Sequence, residues 1–390
     1  MSASERRAIL PGSTIGILGG GQLGRMMAMA ARSLGYRIQV LDPDPTCPAR
    51  FVVDTCIEAG WDDVHAAVKM ARECDVVTLE IEQVAIACME AAARFAPVRP
   101  GADLLAVIQD RIEQKNWLVK HGFPVGAFRA TRSLDELQVG VHALGGRCYI
   151  KSSTGGYDGR GQAKVGFNGA ATDAEIREAW NDLGERACIA EQALEIEKEI
   201  SVMVARSPSG ETRAFPVALN HHENQILVWS VIPAPIDEDL AAEGLRIAEE
   251  IADTFSLEGV LAVEMFVTRD AKLLVNELAP RPHNSYHASE RACSTSQFEQ
   301  AIRAVCDLPL GDVDVLRPAA IVNLLGDTWL HAAEENRQPR FDAALAVPGV
   351  RLHLYEKATP RKGRKMGHLS AIGNTAEKAV LRVLEAEKRL

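Results

Sequence analysis

The stretch TIGILGGGQLGRM, residues 14–26, constrains the fold more than any other part of this chain. A short apolar run enters a glycine turn, and helical apolar spacing follows over 22–34. A run too short for a helix, closed by glycines and followed by a 3.6-residue period, specifies a strand–turn–helix unit with a buried strand. The texture repeats. RIQVL (37–41) reads as a strand ending at Asp42-Pro43, 61–73 as a helix, DVVTLEI (75–81) as a strand, 84–95 as a helix, and Pro97-Val98 as the start of another short strand. Alternating strands and helices with short connections predict a parallel sheet covered on both faces. This Rossmann-like unit occupies residues 1–110.

The remainder has a different texture. Residues 102–121 carry continuous helical spacing, with Gly122 as a stop. FPVGAFRAT, RCYIKSS, QAKVGF, ACIAEQAL and EISVMVAR read as short strands with a helix at 172–183 among them. A helix at 237–254 precedes two apolar strands, 259–267 and 272–278. A small C-terminal subdomain begins near 318 and ends on a helix at 375–389. The expected fold is α/β plus α+β: a Rossmann-like N-terminal domain, a region at 111–205, and a core with C-terminal subdomain at 206–390.

The chain has 390 residues, which is ample for two to four domains, and 47% hydrophobic and 25% charged content suits a globular protein. A net charge of −10 argues against a general nucleic-acid binder, which needs a basic face. The eight cysteines form no C-x-x-C pair and read as reduced, mostly buried thiols. MSASERRAILPG lacks an apolar core of signal-peptide type, and no run of about 18 apolar residues would span a membrane. A cytoplasmic location is expected.

Five stretches carry chemistry. Gly19, Gly21 and Gly24 form G-x-G-x-x-G at a helix start, where unpaired N–H groups suit a phosphate. With Asp42 positioned for ribose hydroxyls, a dinucleotide, another phosphate ligand and a purely structural turn all remain open. Second, Lys151 ends a strand, and Gly155-Gly156-Tyr157-Asp158-Gly159-Arg160-Gly161-Gln162 follows. A glycine-rich hairpin with two cations fits over a polyphosphate; it is not a Walker motif, since no G-K-[ST] or helix follows. Third, GVLAVEMFV and KLLVNELAP are apolar strands, each broken by an acid. A two-residue loop at Asp270-Ala271 would pair Arg269 with Lys272 and set Glu264 opposite Glu277. Facing carboxylates repel, and a shared Mg²⁺ removes that cost. Asn276 would point to the other face unless the strand kinks. Fourth, Arg281, His283, Asn284 and His287 lie just downstream, as cation, imidazole and amide donors for an anionic intermediate. Fifth, Lys357 and the run Arg361 to His368 form either a solvated basic loop or a phosphate pocket.

In this order, strand lysine, glycine-rich hairpin, E-Q-x-L hinge and paired carboxylates, the sequence resembles an ATP-grasp ligase. Within that superfamily it resembles the 5-(carboxyamino)imidazole ribonucleotide synthase family of purine biosynthesis over nearly its full length, through GGGQLGRM (19–26), EIE (80–82), QDR (109–111), GGYDGRGQ (155–162), EQ-L (191–194), NEL-PR-HNS-H (276–287) and GRKMGH (363–368). The resemblance implies a preATP-grasp domain, an ATP-grasp lid and a carboxylate-bearing core, acting as a homodimer on ATP, bicarbonate and aminoimidazole ribonucleotide. It implies that Arg111, Lys151, Gly156, Tyr157, Asp158, Gly159, Arg160, Gly161 and Gln162 hold ATP phosphates. Glu191, Gln192, Ala193 and Leu194 would line the adenine pocket, Glu199 would take the ribose hydroxyls, and His222 would belong to the nucleotide site. Glu264 and Glu277 would ligate Mg²⁺ with Asn276 beside them. Gln22, Leu23, Glu80, Tyr157 and Asp158 would face the ribonucleotide, and Lys357 and Arg364 its 5′-phosphate. Arg281, His283 and Asn284 would surround bicarbonate and carboxyphosphate, with Asp158 orienting or deprotonating the amine.

The chain departs from the family pattern at Tyr286, where glycine is usual, at Ala288-Ser289 in place of Trp-Thr, and at Gln225 in place of glycine. Tyr286 would either alter packing or reach substrate. A formate-using glycinamide ribonucleotide transformylase shares the layout, but His287 and the GRKMGH tail favour the carboxylating family. Biotin carboxylase fits less well in length and metal-side motifs. An NAD-dependent dehydrogenase accounts only for residues 16–42.

Overall fold

The computed structural model describes residues 8–155, 161–335 and 337–390. Strands β1 (Thr14–Leu18), β2 (Arg37–Asp42), β3 (Thr55–Glu58) and β4 (Val76–Leu79) form a parallel sheet in the order β3-β2-β1-β4. Ile15, Ile17, Ile38 and Val40 pack against helix Gln22–Ser33. Leu18, Leu41, Val77 and Leu79 pack against helices Val64–Glu73 and Ile86–Ala92. Both faces are therefore covered, as alternation of buried side chains along the strands requires. Strand β3, half-exposed and short, carried too weak a pattern to be foreseen, and Val98 makes only a single bridge to Val77.

The second sheet contains β5 (Phe128–Thr131), β6 (Cys148–Ser152), β7 (Gln162–Val165) and β8 (Cys188–Gln192) in antiparallel order β5-β8-β6-β7. Helices Leu134–Ala143 and Asp173–Asp182 back it through Leu137, Val141, Ile176 and Trp180. The third sheet is nine-stranded: β9 (Ile196–Arg206), β10 (Thr212–Ala214), β11 (Ala218–Glu223), β12 (Ile226–Ile232), β13 (Gly259–Thr268), β14 (Leu273–Ala279), β15 (Ala319–Leu325), β16 (Val350–Leu354) and β17 (Lys365–Ile372). Its order is β14-β13-β9-β11-β12-β15-β17-β16, with β10 on β9. The C-terminal strands thus extend the central sheet through β12 and β15.

The continuous helical spacing over 102–121 resolves into two helices, Ala102–Gln109 and Arg111–Lys120. Asp110 breaks them. Its backbone is extended, and its carboxylate accepts from Ile112 N at 2.8 Å and Glu113 N at 3.3 Å. An N-cap aspartate satisfies the first free amides of the second helix, so periodicity persists through a break. Ser153 Oγ also donates to Asp110, and Arg111 N–H donates to Ser153 O at 2.8 Å. The helix start is thereby tied to the end of β6. All eight cysteines are free, and among the described residues no helix is long and apolar enough to cross a membrane.

Candidate active site

Strands β13 and β14 set Glu264 directly opposite Glu277. The register arises differently from the expected two-residue loop. Thr268 N donates to Lys272 O and Ala271 N to Thr268 O, so Arg269-Asp270-Ala271 form a three-residue loop, with Ala271 at φ +58°. That loop pairs Val267 with Leu273 and Met265 with Val275, a register in which the glutamates would miss each other. A bulge at Asn276 restores the pairing, because Glu264 then faces Glu277 and Val263 faces Leu278. A bulge bends its strand and re-aims a side chain, so the kink falls on Asn276, beside Glu277.

Cations surround Glu277. Arg111 Nη1 lies 3.0 Å from Glu277 Oε2. Burial opposes ionisation of Glu277, but Arg111 and Lys151 outweigh it and hold the carboxyl below its usual range. Glu264 goes the other way: burial and the neighbouring Glu277 charge push it up to about 7. The two carboxyls are thus pushed in opposite directions, as expected when like charges face each other and cations stand beside only one of them.

Lys151 on β6 pairs across the sheet with Ile189, which places Glu191 diagonally on the same face. Lys151 Nζ is 2.5 Å from Glu191 Oε2, and Lys115 Nζ is 3.1 Å from Glu191 Oε1. Burial raises the Glu191 carboxyl, yet the two ammonium groups overturn that and bring it down to about 2. Lys115, 6% exposed, also donates to Val275 O at 3.2 Å, and burial lowers its pKa. Lys115 was not anticipated. Its signal was its place four residues after Arg111, which puts both cations on one face of a helix.

His283 is held neutral by burial, with Arg281 reinforcing the effect. Asn220 Nδ2 donates to Ser201 Oγ (3.1 Å), Ser201 Oγ to Ser285 Oγ (2.9 Å), and Ser285 Oγ lies 2.8 Å from His283 Nδ1. This chain makes Nδ1 the acceptor, so Nε2 carries the proton and faces Glu264 Oε1 at 3.3 Å. Gln297 clamps the same segment, accepting from His283 N (2.8 Å) and donating to His283 O (2.9 Å) and His287 Nδ1 (3.1 Å). Both amide atoms of Asn284 are buried without a hydrogen-bond partner. Arg281 Nε sits 3.0 Å from Glu82 Oε1, so Glu82 of the EIE triplet is the acid that pairs with Arg281 directly.

Tyr286 is fully buried. Its hydroxyl donates to Ser201 O (2.8 Å) and Pro216 O (3.0 Å), and its ring meets Phe215 edge-on at 5.7 Å. The residue in the family's glycine position is a core residue behind the site, and the alternative of a substrate contact is set aside.

The glycine loop is closed by acids of its own domain. Glu80 accepts from Gly21 N (2.7 Å) and Gly24 N (3.1 Å), and Asp42 from Gly20 N (2.7 Å) and Asp44 N (2.8 Å). A Cβ on Gly24 would lie 2.6 Å from Gly19 O. Burial pushes the Glu80 carboxyl up to about 7 despite these amides. Asp42 is thus a loop support and not a ribose ligand. Gln22 opens the helix and is half-buried, while Leu23 is buried in the core beneath it. Across from this helix, Arg25 Nη2 meets Glu356 Oε1 at 3.0 Å, next to Lys357. Lys357 Nζ donates to Lys365 O (2.8 Å) and Arg364 Nη1 to Thr359 O (2.7 Å); Asp44, held low chiefly by its hydrogen bonds from Thr46, also feels the Arg364 charge. The basic loop therefore faces the glycine-loop domain.

On the other side, His222 Nδ1 lies 2.8 Å from Glu199 Oε2, and both line an open cavity with Asn220 and Trp229. Burial disfavours the charged imidazole, but Glu199 more than offsets it, and His222 is held above its ordinary value. Gln192 N donates to Ala127 O and Ala193 N to Arg147 O, and Leu194 packs against Gly126. Gly161 precedes β7, which Gln162 opens opposite Lys151. Gly156, Tyr157, Asp158, Gly159 and Arg160 lie outside the described residues.

The arrangement is that of an ATP-grasp enzyme, and family models agree: a ribonucleotide synthetase preATP-grasp domain matches residues 12–109, an ATP-grasp domain 116–298, and a phosphoribosylaminoimidazole carboxylase C-terminal domain 319–382. The chain is similar to the N5-carboxyaminoimidazole ribonucleotide synthases of Bacillus subtilis strain 168 (40% identical; 94% of this chain, 93% of the relative) and Brucella melitensis (39%; 94% and 98%). Among solved structures, an ADP complex of N5-carboxyaminoimidazole ribonucleotide synthetase matches with TM-score 0.90 and 42% identity over 98% of both chains. The Aspergillus clavatus enzyme in complex with ADP and 5-aminoimidazole ribonucleotide matches with TM-score 0.85 and 29% identity, over 97% of this chain and 99% of that one. The chain belongs to the N5-carboxyaminoimidazole ribonucleotide synthase family, and it is an ATP-dependent ligase.

Proposed function

We propose that this enzyme carboxylates the exocyclic amine of 5-aminoimidazole ribonucleotide, using ATP and bicarbonate and giving ADP and phosphate. The carrying observation is the opposed Glu264 and Glu277, with Arg111 on one side and neutral His283 on the other. Their chemistry fits Mg²⁺, a hard dication that takes oxygen ligands and binds through one or two carboxylates together with substrate phosphates. Mg²⁺ bound there would offset charge on the phosphoryl oxygens.

Lys151 and Lys115, now shared by Glu191, turn to ATP phosphates beside Arg111 and the hairpin residues Gly156 to Gln162. Glu199 and His222 take the ribose end of ATP, and the 191–194 segment the adenine. Bicarbonate oxygen attacks the γ-phosphorus. Arg281 and the unpartnered amide of Asn284 hold the resulting carboxyphosphate, with the His283 imidazole alongside. The ribonucleotide lies between Gln22 on the glycine-loop helix and Lys357 and Arg364 on the basic loop, which bind its 5′-phosphate. Glu80 acts by holding that loop. The exocyclic amine of the ribonucleotide attacks the carboxyl carbon, the carbon–oxygen bond to phosphate breaks, and the amine gives up a proton to become the carbamate, with Asp158 orienting or deprotonating it and Tyr157 beside it. The reading includes a homodimer in the cytoplasm.

ADP release with Mg²⁺ tests the reaction. It should rise when 5-aminoimidazole ribonucleotide and bicarbonate are both supplied. A response to glycinamide ribonucleotide with formate, and none to the imidazole, would overturn the assignment.

A further inference from the structure

Away from this site, three potential metal ligands converge from three elements. Glu290 lies on the short helix Ser289–Ala292, His353 on β16 and His368 on β17, and one donor atom of each lies within 4.8 Å of the others. His353 and His368 face each other directly across the ladder, with ring centroids 5.0 Å apart and planes inclined by 14°. Imidazole lone pairs lie in the ring planes, so the half-buried His353 ring must turn out of this stack for both nitrogens to reach one ion through ~2.0–2.1 Å bonds. His353 Nδ1 is 4.0 Å from Glu290 Oε2. On the far side, His368 Nδ1 lies 2.8 Å from the hydroxyl of the buried Tyr355. Such an outer contact fixes the ring of a ligating histidine and leaves Nε2 for the ion. Burial keeps both imidazoles neutral, the ligating form. Glu290 and His353 also line a surface cavity with Met26, Met29 and Ser33, which gives an ion its way in.

We propose that Glu290, His353 and His368 form a second metal site, separate from the carboxylate pair, for a borderline transition-metal dication such as Zn²⁺. Two nitrogens and one carboxylate select such an ion over Mg²⁺ or Ca²⁺, which take oxygen ligands, and water completes the set. Tetrahedral donors lie about 3.4 Å apart, so the site must contract. His368 is packed at 1% exposure, whereas Glu290 is exposed and His353 half-buried, so these two make the movement. The ion would tie the helix that follows the His283–His287 segment to β16 and β17, the strands that flank the loop of Lys357 and Arg364.

Co²⁺ titration of the full-length, chelator-treated protein without Mg²⁺ tests this, using the visible ligand-field band as readout. We expect one Co²⁺ per chain with nitrogen–oxygen character, displaced by Zn²⁺. His353→Ala and Glu290→Gln should each weaken binding at least about tenfold and leave folding intact. Glu264→Gln should keep the Co²⁺ band, which separates this site from the carboxylate pair and from the proposed reaction. An unchanged Co²⁺ affinity in both His353→Ala and Glu290→Gln, a thiolate charge-transfer spectrum, or no band in the wild-type protein would each overturn the proposal.

Discussion

Tyr286 offers a clean separation of packing from catalysis. Tyr286→Phe keeps the ring against Phe215 and removes the hydroxyl that serves Ser201 O and Pro216 O. Buried carbonyls left without a donor cost about 1–3 kcal/mol. For a cooperative unit of roughly 200 residues, with an unfolding entropy near 2.1 cal/mol/K per residue, that is a drop in Tm of about 2–7 °C. Tyr286→Ala also empties the ring's volume and should cost about 3–5 kcal/mol. Differential scanning calorimetry reads both. Initial rates, corrected for the folded fraction, should stay close to wild type in Tyr286→Phe, because the side chain lies behind β9 and not in the cleft. A loss of kcat near a hundredfold with unchanged Tm would refute the packing account and return Tyr286 to the substrate.

Glu191→Gln leaves Lys115 and Lys151 buried together, and breaking such a pair costs about 3–5 kcal/mol. ATP phosphates replace the lost charge, so ATP should raise the Tm of this variant more than that of the wild type; an equal rise argues against phosphate contact by these lysines. Glu264, raised to about 7, must ionise to bind Mg²⁺. Calorimetry in buffers of different ionisation enthalpy should show proton release on Mg²⁺ binding that is larger at pH 6 than at pH 7 and falls away by pH 9, with no release in Glu264→Gln. Without Mg²⁺ the same group, protonated in the folded state between its unfolded value and about 7, contributes stability present below that unfolded value and lost as pH rises through 7; Glu264→Gln should remove this loss in denaturant melts. Gly24→Ala drives a Cβ against Gly19 O. Displacing the loop by about 1 Å should raise KM for the ribonucleotide at least about tenfold and leave KM for ATP unchanged; matching changes in both would place the loop at the nucleotide.

The sequence by itself determined the parallel sheet, the glycine turn, the hairpin flanks at Lys151 and Gln162, and the opposition of Glu264 and Glu277. These rest on local signals: apolar period, turn residues and ladder parity. The glutamate pairing was reached through a two-residue loop, whereas a three-residue loop and a bulge at Asn276 offset one another, since each shifts the register by one. Such paired irregularities leave no trace in a strand pattern. Asp110 hid inside continuous helical spacing because a cap preserves periodicity on both sides of the break.

Tertiary structure alone decided what each charge does. Glu80 and Asp42 spend their carboxylates on loop amides, Glu191 bridges two lysines, Glu82 reaches Arg281, and Tyr286 turns into the core. Each of these partners lies between about twenty and about two hundred residues away in the chain. A side chain's polarity is written in the sequence, but its partner and its pKa depend on which distant surfaces burial brings together.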